Sequence, residues 1–132
     1  MFRLTLHAMK RRIFIVDDDR DHAESIADIL AMHGHEVDLA FTGEDAVRRF
    51  AEAYFDLTLM DVKLPGMNGV EAFLELRRQR ADAQVIMMTG FSVERLLSQA
   101  IENGARGVLY KPLAIPELLR VVGDPDKPAQ PA

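Results

Sequence analysis

The sequence predicts a doubly wound α/β domain: five parallel strands with helices on both faces of the sheet. Three observations carry this. Short apolar stretches alternate five times with stretches of helical period, and that alternation produces a parallel sheet with right-handed crossovers. Most of the apolar stretches lack strict alternation, as strands covered on both faces do. The chain has 132 residues, 48% apolar and 28% charged, a balance that suits one globular domain with its own core.

The elements follow in order. Residues 13–17 (IFIVD) form the first strand. Residues 23–32 place Ile26, Ala27, Ile29 and Leu30 on one helical side, with Asp19 or Asp21 suited to cap the start and Gly34 to end it. Residues 36–41 (EVDLAF) alternate more, as an edge strand does. Residues 44–53 bring Ala46, Val47, Phe50 and Ala51 together, and residues 55–61 (FDLTLMD) are the third strand. Residues 70–80 align Val70, Phe73, Leu74 and Arg77, ahead of a fourth strand at 84–89 (QVIMMT). In residues 92–103, Val93, Leu96, Leu97, Ala100 and Ile101 make an i, i+3, i+4, i+7, i+8 stripe, and Gly104 follows. Residues 107–110 (GVLY) are the fifth strand and 115–122 a shorter fifth helix. The domain is thus expected over residues 12–122. Residues 1–11 read as an N-terminal extension, and 123–132, with three of the six prolines, as a Pro-rich C-terminal tail or linker.

Composition excludes several functions. With no cysteine there is no disulfide framework, thiolate zinc site or Cys nucleophile. No apolar run reaches the roughly 18 residues that span a bilayer. The basic cluster Lys10, Arg11 and Arg12 follows the short apolar start instead of preceding it, the reverse of a secretory signal. A cytoplasmic location with no membrane association is expected. Four of the sixteen basic residues lie in residues 1–12, which hold no acid, so the body sets twelve basic residues against twenty-one acidic ones. Such a body offers no footprint for a phosphate backbone, and no direct nucleic-acid partner is expected.

In open α/β sheets, ligands bind beyond the carboxyl ends of the strands. The first strand ends in Asp17-Asp18-Asp19, the third in Asp61, the fourth in Thr89 and the fifth in Tyr110-Lys111-Pro112. Each residue alone has an ordinary explanation, as a turn former, a helix cap or a solvated lysine. Four such ends on one rim form a more specific arrangement. If the first and third strands lie side by side, Asp17, Asp18 and Asp61 cluster; two carboxylates about 5 Å apart repel by roughly 3 kcal/mol at an effective dielectric near 20, and such a cluster needs a cation. All-oxygen ligands point to a hard divalent ion, Mg²⁺ above all. Mg²⁺ beside a carboxylate, a hydroxyl and an ammonium is a set for holding a phosphoryl group, with a carboxylate able to attack phosphorus. There is no Walker A loop or GxGxxG motif to hold a nucleotide donor.

IVDDD at 15–19, LMDVKLPGMNG at 59–69, MTG at 88–90 and YKP at 110–112 together resemble the receiver domain of bacterial two-component response regulators. The resemblance covers roughly residues 12–122. It implies a flavodoxin-like (βα)5 fold with strand order 2-1-3-4-5 and a phosphorylation-dependent switch that catalyses only its own phosphotransfer and dephosphorylation. Asp61 would accept phosphate from a histidine kinase or histidine phosphotransfer protein. Asp18 and Asp61 would ligate Mg²⁺, with the Lys63 backbone carbonyl as a further ligand and Asp17 acting mainly through water. Thr89 and Lys111 would bind the phosphoryl oxygens, Pro65-Gly66 would turn the chain after the third strand, and the Lys111–Pro112 bond would be cis. The receiver would stand alone or form part of a longer regulator, with a homodimer through the 92–122 face as a further implied partner.

One position departs from the family pattern. Receivers commonly carry an aromatic switch ring three residues before the lysine, where this chain has Val108. Tyr110 directly precedes Lys111, and pleat alternation sends neighbours to opposite faces. Output is therefore expected to be weaker, and to involve Val108, Tyr110 and above all Phe91, the movable ring after Gly90. His7, His22, His33 and His35 are scattered and read as surface residues, without metal-ligand pairing. Two other readings fit such a sheet less well. A flavin carrier needs a hydroxyl- and glycine-rich loop where DDDRD stands, and an aspartate phosphatase needs a second carboxylate where Lys63 stands.

Overall fold

The computed structural model describes residues 10–90 and 94–123. They form β1 (Arg12–Val16), α1 (Arg20–Met32), β2 (Glu36–Ala40), α2 (Gly43–Glu52), β3 (Leu57–Asp61), α3 (Gly69–Gln79), β4 (Val85–Thr89), α4 (Glu94–Glu102), β5 (Gly107–Tyr110) and α5 (Ile115–Gly123). The five strands pair in parallel in the order β2-β1-β3-β4-β5. The alternating strand β2 lies at an edge, as its pattern predicts. No described helix is long and apolar enough to cross a membrane.

The continuous apolar runs are explained by two cores. Phe14, Val16, Met60, Val85, Met87 and Val108 face one side, where α2, α3 and α4 supply Phe50, Phe73, Leu76, Leu97 and Ala100. Ile13, Ile15, Leu57, Leu59, Ile86, Met88 and Leu109 face the other, against Ile26 and Leu30 of α1 and Leu118, Val121 and Val122 of α5. Successive residues of one strand thus enter opposite cores, and no position in β3 or β4 is left for a solvated side chain.

The starts of α1, α2 and α3 are set by polar caps. The Asp19 side chain accepts from His22 N–H and Thr42 from Asp45 N–H. Asn68 accepts from Val70 and Glu71 N–H while the Glu71 carboxylate accepts from Asn68 N–H, a capping box. These caps explain why α1 begins at Arg20, ahead of the first apolar position at Ala23: its opening turn is polar and invisible to hydrophobic period. Gly34 and Gly104 take φ of +91° and +101° after α1 and α4, the left-handed stop expected of them.

The tightest point is the start of α3. Gly69 donates to the Val62 carbonyl at 2.8 Å, and a Cβ there would lie 1.9 Å from the Asp61 carbonyl oxygen. Only glycine lets α3 begin against the end of β3. Gly69→Ala is expected to lose roughly 3 kcal/mol in urea unfolding, as overpacking against rigid backbone does. Gly123→Ala, where a Cβ would meet nothing within 4 Å, should stay within about 0.5 kcal/mol of the parent. Equal midpoints for the two variants would refute this reading of the α3 start.

Candidate functional site

The chain steps from β1 outward to β2 and then returns to β3 on the other side, so β1 and β3 flank the point where the strand order reverses. A crevice opens there at the carboxyl ends. The register sets Val16 beside Met60, which brings Asp17, next after Val16, alongside Asp61. The cleft is lined by Asp17, Asp18, Asp19, Asp61, Lys63, Pro65, Asn68, Gly90, Leu96 and Lys111, among others.

At its centre, Lys111 Nζ donates to Asp17 Oδ2 at 2.9 Å and to Asp61 Oδ2 at 3.0 Å. The Asp17 side chain has no exposure and that of Asp61 only 8%. Asp17 Oδ1 accepts from Asp19 N–H at 3.0 Å, and Asp61 Oδ1 from Lys63 N–H at 3.3 Å. Asp18 is exposed, yet one oxygen each of Asp17, Asp18 and Asp61 fall within 4.8 Å of one another.

One ammonium cannot neutralise two buried carboxylates. Burial pushes the Asp61 carboxyl up to about 6, with the Asp17 charge adding to the rise and Lys111 opposing it. Burial also acts to raise Asp17, but the Asp19 N–H, Lys111 and His22 outweigh it and hold the group below its ordinary value. Burial acts to lower Lys111, while its bonds to Asp17 and Asp61 carry it above its usual value. The site is thus short of positive charge and rich in oxygen donors. That donor set fits a hard divalent cation.

The remaining expected residues fall as follows. Thr89 ends β4 with no exposure, and its carbonyl accepts from Lys111 N–H at 2.8 Å. The Lys111–Pro112 bond is cis. Val108 is buried against the α2, α3 and α4 side, whereas Tyr110 is 52% exposed. Phe91 lies outside the described residues, as do His7 and the tail from 124. One site residue is missed by the sequence reading. His22, read there as a surface residue, places Nδ1 2.6 Å from Asp17 Oδ2. The signal was the cap: once Asp19 is the N-cap, His22 is the third residue of α1, and helix side chains lean toward the N-terminus.

The model of the response regulator receiver domain family matches residues 13–123. The chain belongs to that family. It is 39% identical over 109 residues to the response regulator receiver protein Anae109_2439 of Anaeromyxobacter, covering 83% of this chain but 46% of that one. Several curated relatives are therefore longer, and the chain spans less than half of this one. It is 34% identical over 115 residues to the chemotaxis protein CheY of Bacillus subtilis, covering 86% of this chain and 96% of CheY. A CheY-like receiver domain from Methanospirillum hungatei has a crystal structure that superposes with a TM-score of 0.85 at 31% identity, covering 88% of this chain and 93% of that one. Receiver domains are signalling switches that bind Mg²⁺ at an acidic pocket, and in this one the carboxylates of Asp17, Asp18 and Asp61 lie close together.

The charge shortage has a measurable sign. With no metal, Asp61 binds its proton more tightly folded than unfolded, from an ordinary value of 3.8 up to about 6. Its contribution to stability is full below pH 4 and lost as pH rises through 6. Asp61→Asn keeps the shape without the charge. In EDTA, this variant should exceed the parent by on the order of 2 kcal/mol at pH 7.5 and converge with it near pH 4. Equal stability of the two proteins at pH 7.5 by denaturant titration would contradict the raised Asp61.

Proposed function

We propose that this receiver is a phosphorylation-dependent signalling switch whose Asp61 accepts a phosphoryl group from a histidine kinase or a histidine phosphotransfer protein. The observation that carries the reading is the sharing of one Lys111 ammonium by Asp17 and Asp61 at the mouth of the β1–β3 crevice. Asp61 supplies the attacking oxygen, and the phosphorus–nitrogen bond of the donor phosphohistidine breaks as the oxygen–phosphorus bond forms. Lys111 donates to a phosphoryl oxygen, and the Thr89 hydroxyl bonds another once it turns from its buried position. Asp18, Asp61 and the Lys63 carbonyl would hold Mg²⁺, with Asp17 acting through water; the ion supplies neutralising charge to the attacking and transferred oxygens. The domain works alone or as the receiver part of a longer regulator, with a second copy able to pair through the 92–122 face. Its acidic body argues for protein partners in place of nucleic acid.

Incubation with phosphoramidate and Mg²⁺ should add one phosphoryl group by intact mass, and EDTA or Asp61→Asn should abolish the adduct. Full labelling of Asp61→Asn would overturn the assignment. Millimolar Mg²⁺ should raise the melting temperature of the parent by mass action.

The output side is expected to differ from that of receivers with a switch ring. Val108 is buried, β-branched and short of rotamers, so it has no second position to swing into. Beryllofluoride with Mg²⁺ mimics the aspartyl phosphate. It should shift amide resonances near Asp61 and residues 89–92, with Val108→Tyr extending the shifts across α4, β5 and α5 and Phe91→Ala shrinking them. A large shift over that whole face in the parent, indifferent to Phe91→Ala, would show that no ring is needed.

A further inference from the structure

His22 sits where it can act on the site without touching the reacting atoms. Its backbone N–H donates to the Asp19 side chain at 3.1 Å, which fixes it in the first turn of α1. From there the ring returns over the helix start, and Nδ1 meets Asp17 Oδ2 at 2.6 Å. An ionised carboxylate only accepts hydrogen bonds. At this distance Nδ1 must therefore carry a proton and donate.

The same Asp17 oxygen also takes Lys111 Nζ, and Lys111 is shared with Asp61. This is what gives His22 a distinct role. A phosphoryl group on Asp61 places new negative charge beside Lys111 and draws the ammonium toward it. The buried Asp17 carboxylate then keeps the Asp19 N–H on Oδ1 and the His22 ring on Oδ2 as its protein partners. His22 bonds Asp19 through its backbone and Asp17 through its ring, so its ring stays with Asp17 when Lys111 turns to the new group.

We propose that His22 is a positioning residue: it holds the Asp17 carboxylate in its metal-facing orientation when Lys111 is engaged by a phosphoryl group on Asp61. This rests on the receiver function proposed above. Partners that orient a metal-site group through one hydrogen bond change metal affinity by roughly 10- to 100-fold when removed. Here the loss should be uneven. It should be small while Lys111 still holds Asp17 and large once Lys111 has moved.

The test is calorimetric titration of Mg²⁺ into the full chain, with and without beryllofluoride, in the parent, His22→Leu and His22→Asn. Leucine removes the donor and keeps the bulk. Asparagine places an amide N–H near the position of Nδ1. His22→Leu should weaken Mg²⁺ alone by about threefold or less and Mg²⁺ with beryllofluoride by roughly tenfold, and His22→Asn should recover most of the latter. A merely structural residue would weaken both equally, without rescue by asparagine, and that pattern overturns the proposal. So does parent-like binding by His22→Leu. A second measurement needs no variant. Ring ¹⁵N shifts of the parent with Mg²⁺ and beryllofluoride should show Nδ1 protonated, and a bare Nδ1 there refutes the role even if His22→Leu fails to fold. If the parent itself binds no beryllofluoride in a Mg²⁺-dependent way, the receiver function fails and this role with it; parent binding with unchanged variants defeats the His22 role alone.

Discussion

The structure depends on one ammonium shared by two buried carboxylates. Lys111 reaches Asp17 and Asp61 with a single Nζ, and neither acid has water enough to hold its charge alone. Placing β1 and β3 side by side creates this difficulty, because each strand ends in a carboxylate at the same level. Carrying β5 to the far edge of the sheet does not remove its lysine from the problem. The long side chain returns across the rim from beyond β4 to meet them, and its stem packs where the chain after Thr89 passes. The site is therefore a product of topology, since no local segment contains two of these three groups. It also leaves a deficit of positive charge, and a bound cation is the natural relief for that deficit.

The sheet beneath is built to keep that arrangement rigid. Every residue of β3 and β4 is buried, so the ends of these strands inherit the order of two packed cores. Loops at the rim are tied down separately. Glu44 of α2 accepts from Met67 N–H at 3.1 Å, clamping the turn around Gly66, whose φ of +71° completes the reversal after β3. Asn68 and Glu71 then close the start of α3 reciprocally, and Gly69 lets that helix abut the Asp61 carbonyl. The stretch from Asp61 to Gly69 is held at both ends and in the middle, which fixes the Lys63 main chain at the lip of the cleft.

Much of this is legible in the amino-acid order, and the reasons are specific. β2 can be read from the alternation of an edge strand, and the other four of the five strands because a strand covered on both faces is mostly apolar. The rim residues can be read because each follows directly on such a run: Asp61 after LTLM, Thr89 after VIMM, Lys111 after GVLY. The start of α1 is less legible, since Arg20, Asp21 and His22 are polar and carry no hydrophobic period. His22 is missed for the same reason. Its partner is five residues back across a cap, a separation that no face of a helix or strand predicts. The close approach at Gly69 is equally silent, because a glycine in NGV looks like an ordinary turn residue until α3 is packed.

The same ammonium that balances the site also links it to the rest of the sheet. Lys111 donates its backbone N–H to the Thr89 carbonyl at 2.8 Å, so the residue that pairs with Asp61 is stitched to the end of β4. A Cβ on Gly90 would stand 3.7 Å from the Lys111 Cβ, ordinary van der Waals contact. The chain after β4 and the lysine stem are thus neighbours, joined by a hydrogen bond. A displacement of the Lys111 ammonium is thereby connected to the end of β4 through the lysine's own stem and this hydrogen bond. Val108 fills its place in the core without a polar handle, and Tyr110, two residues on, stands largely in solvent. In a strand, residues two apart share a face, so the ring at 110 lies on the same side as the buried valine but at the exposed end of the strand. Val108 is β-branched and stiff at χ1, so its side chain has little freedom within the core. At the β4 end, by contrast, Gly90 has no side chain to pack. The charge relation among Asp17, Asp61 and Lys111 is therefore tied to the end of β4 through the Lys111 backbone.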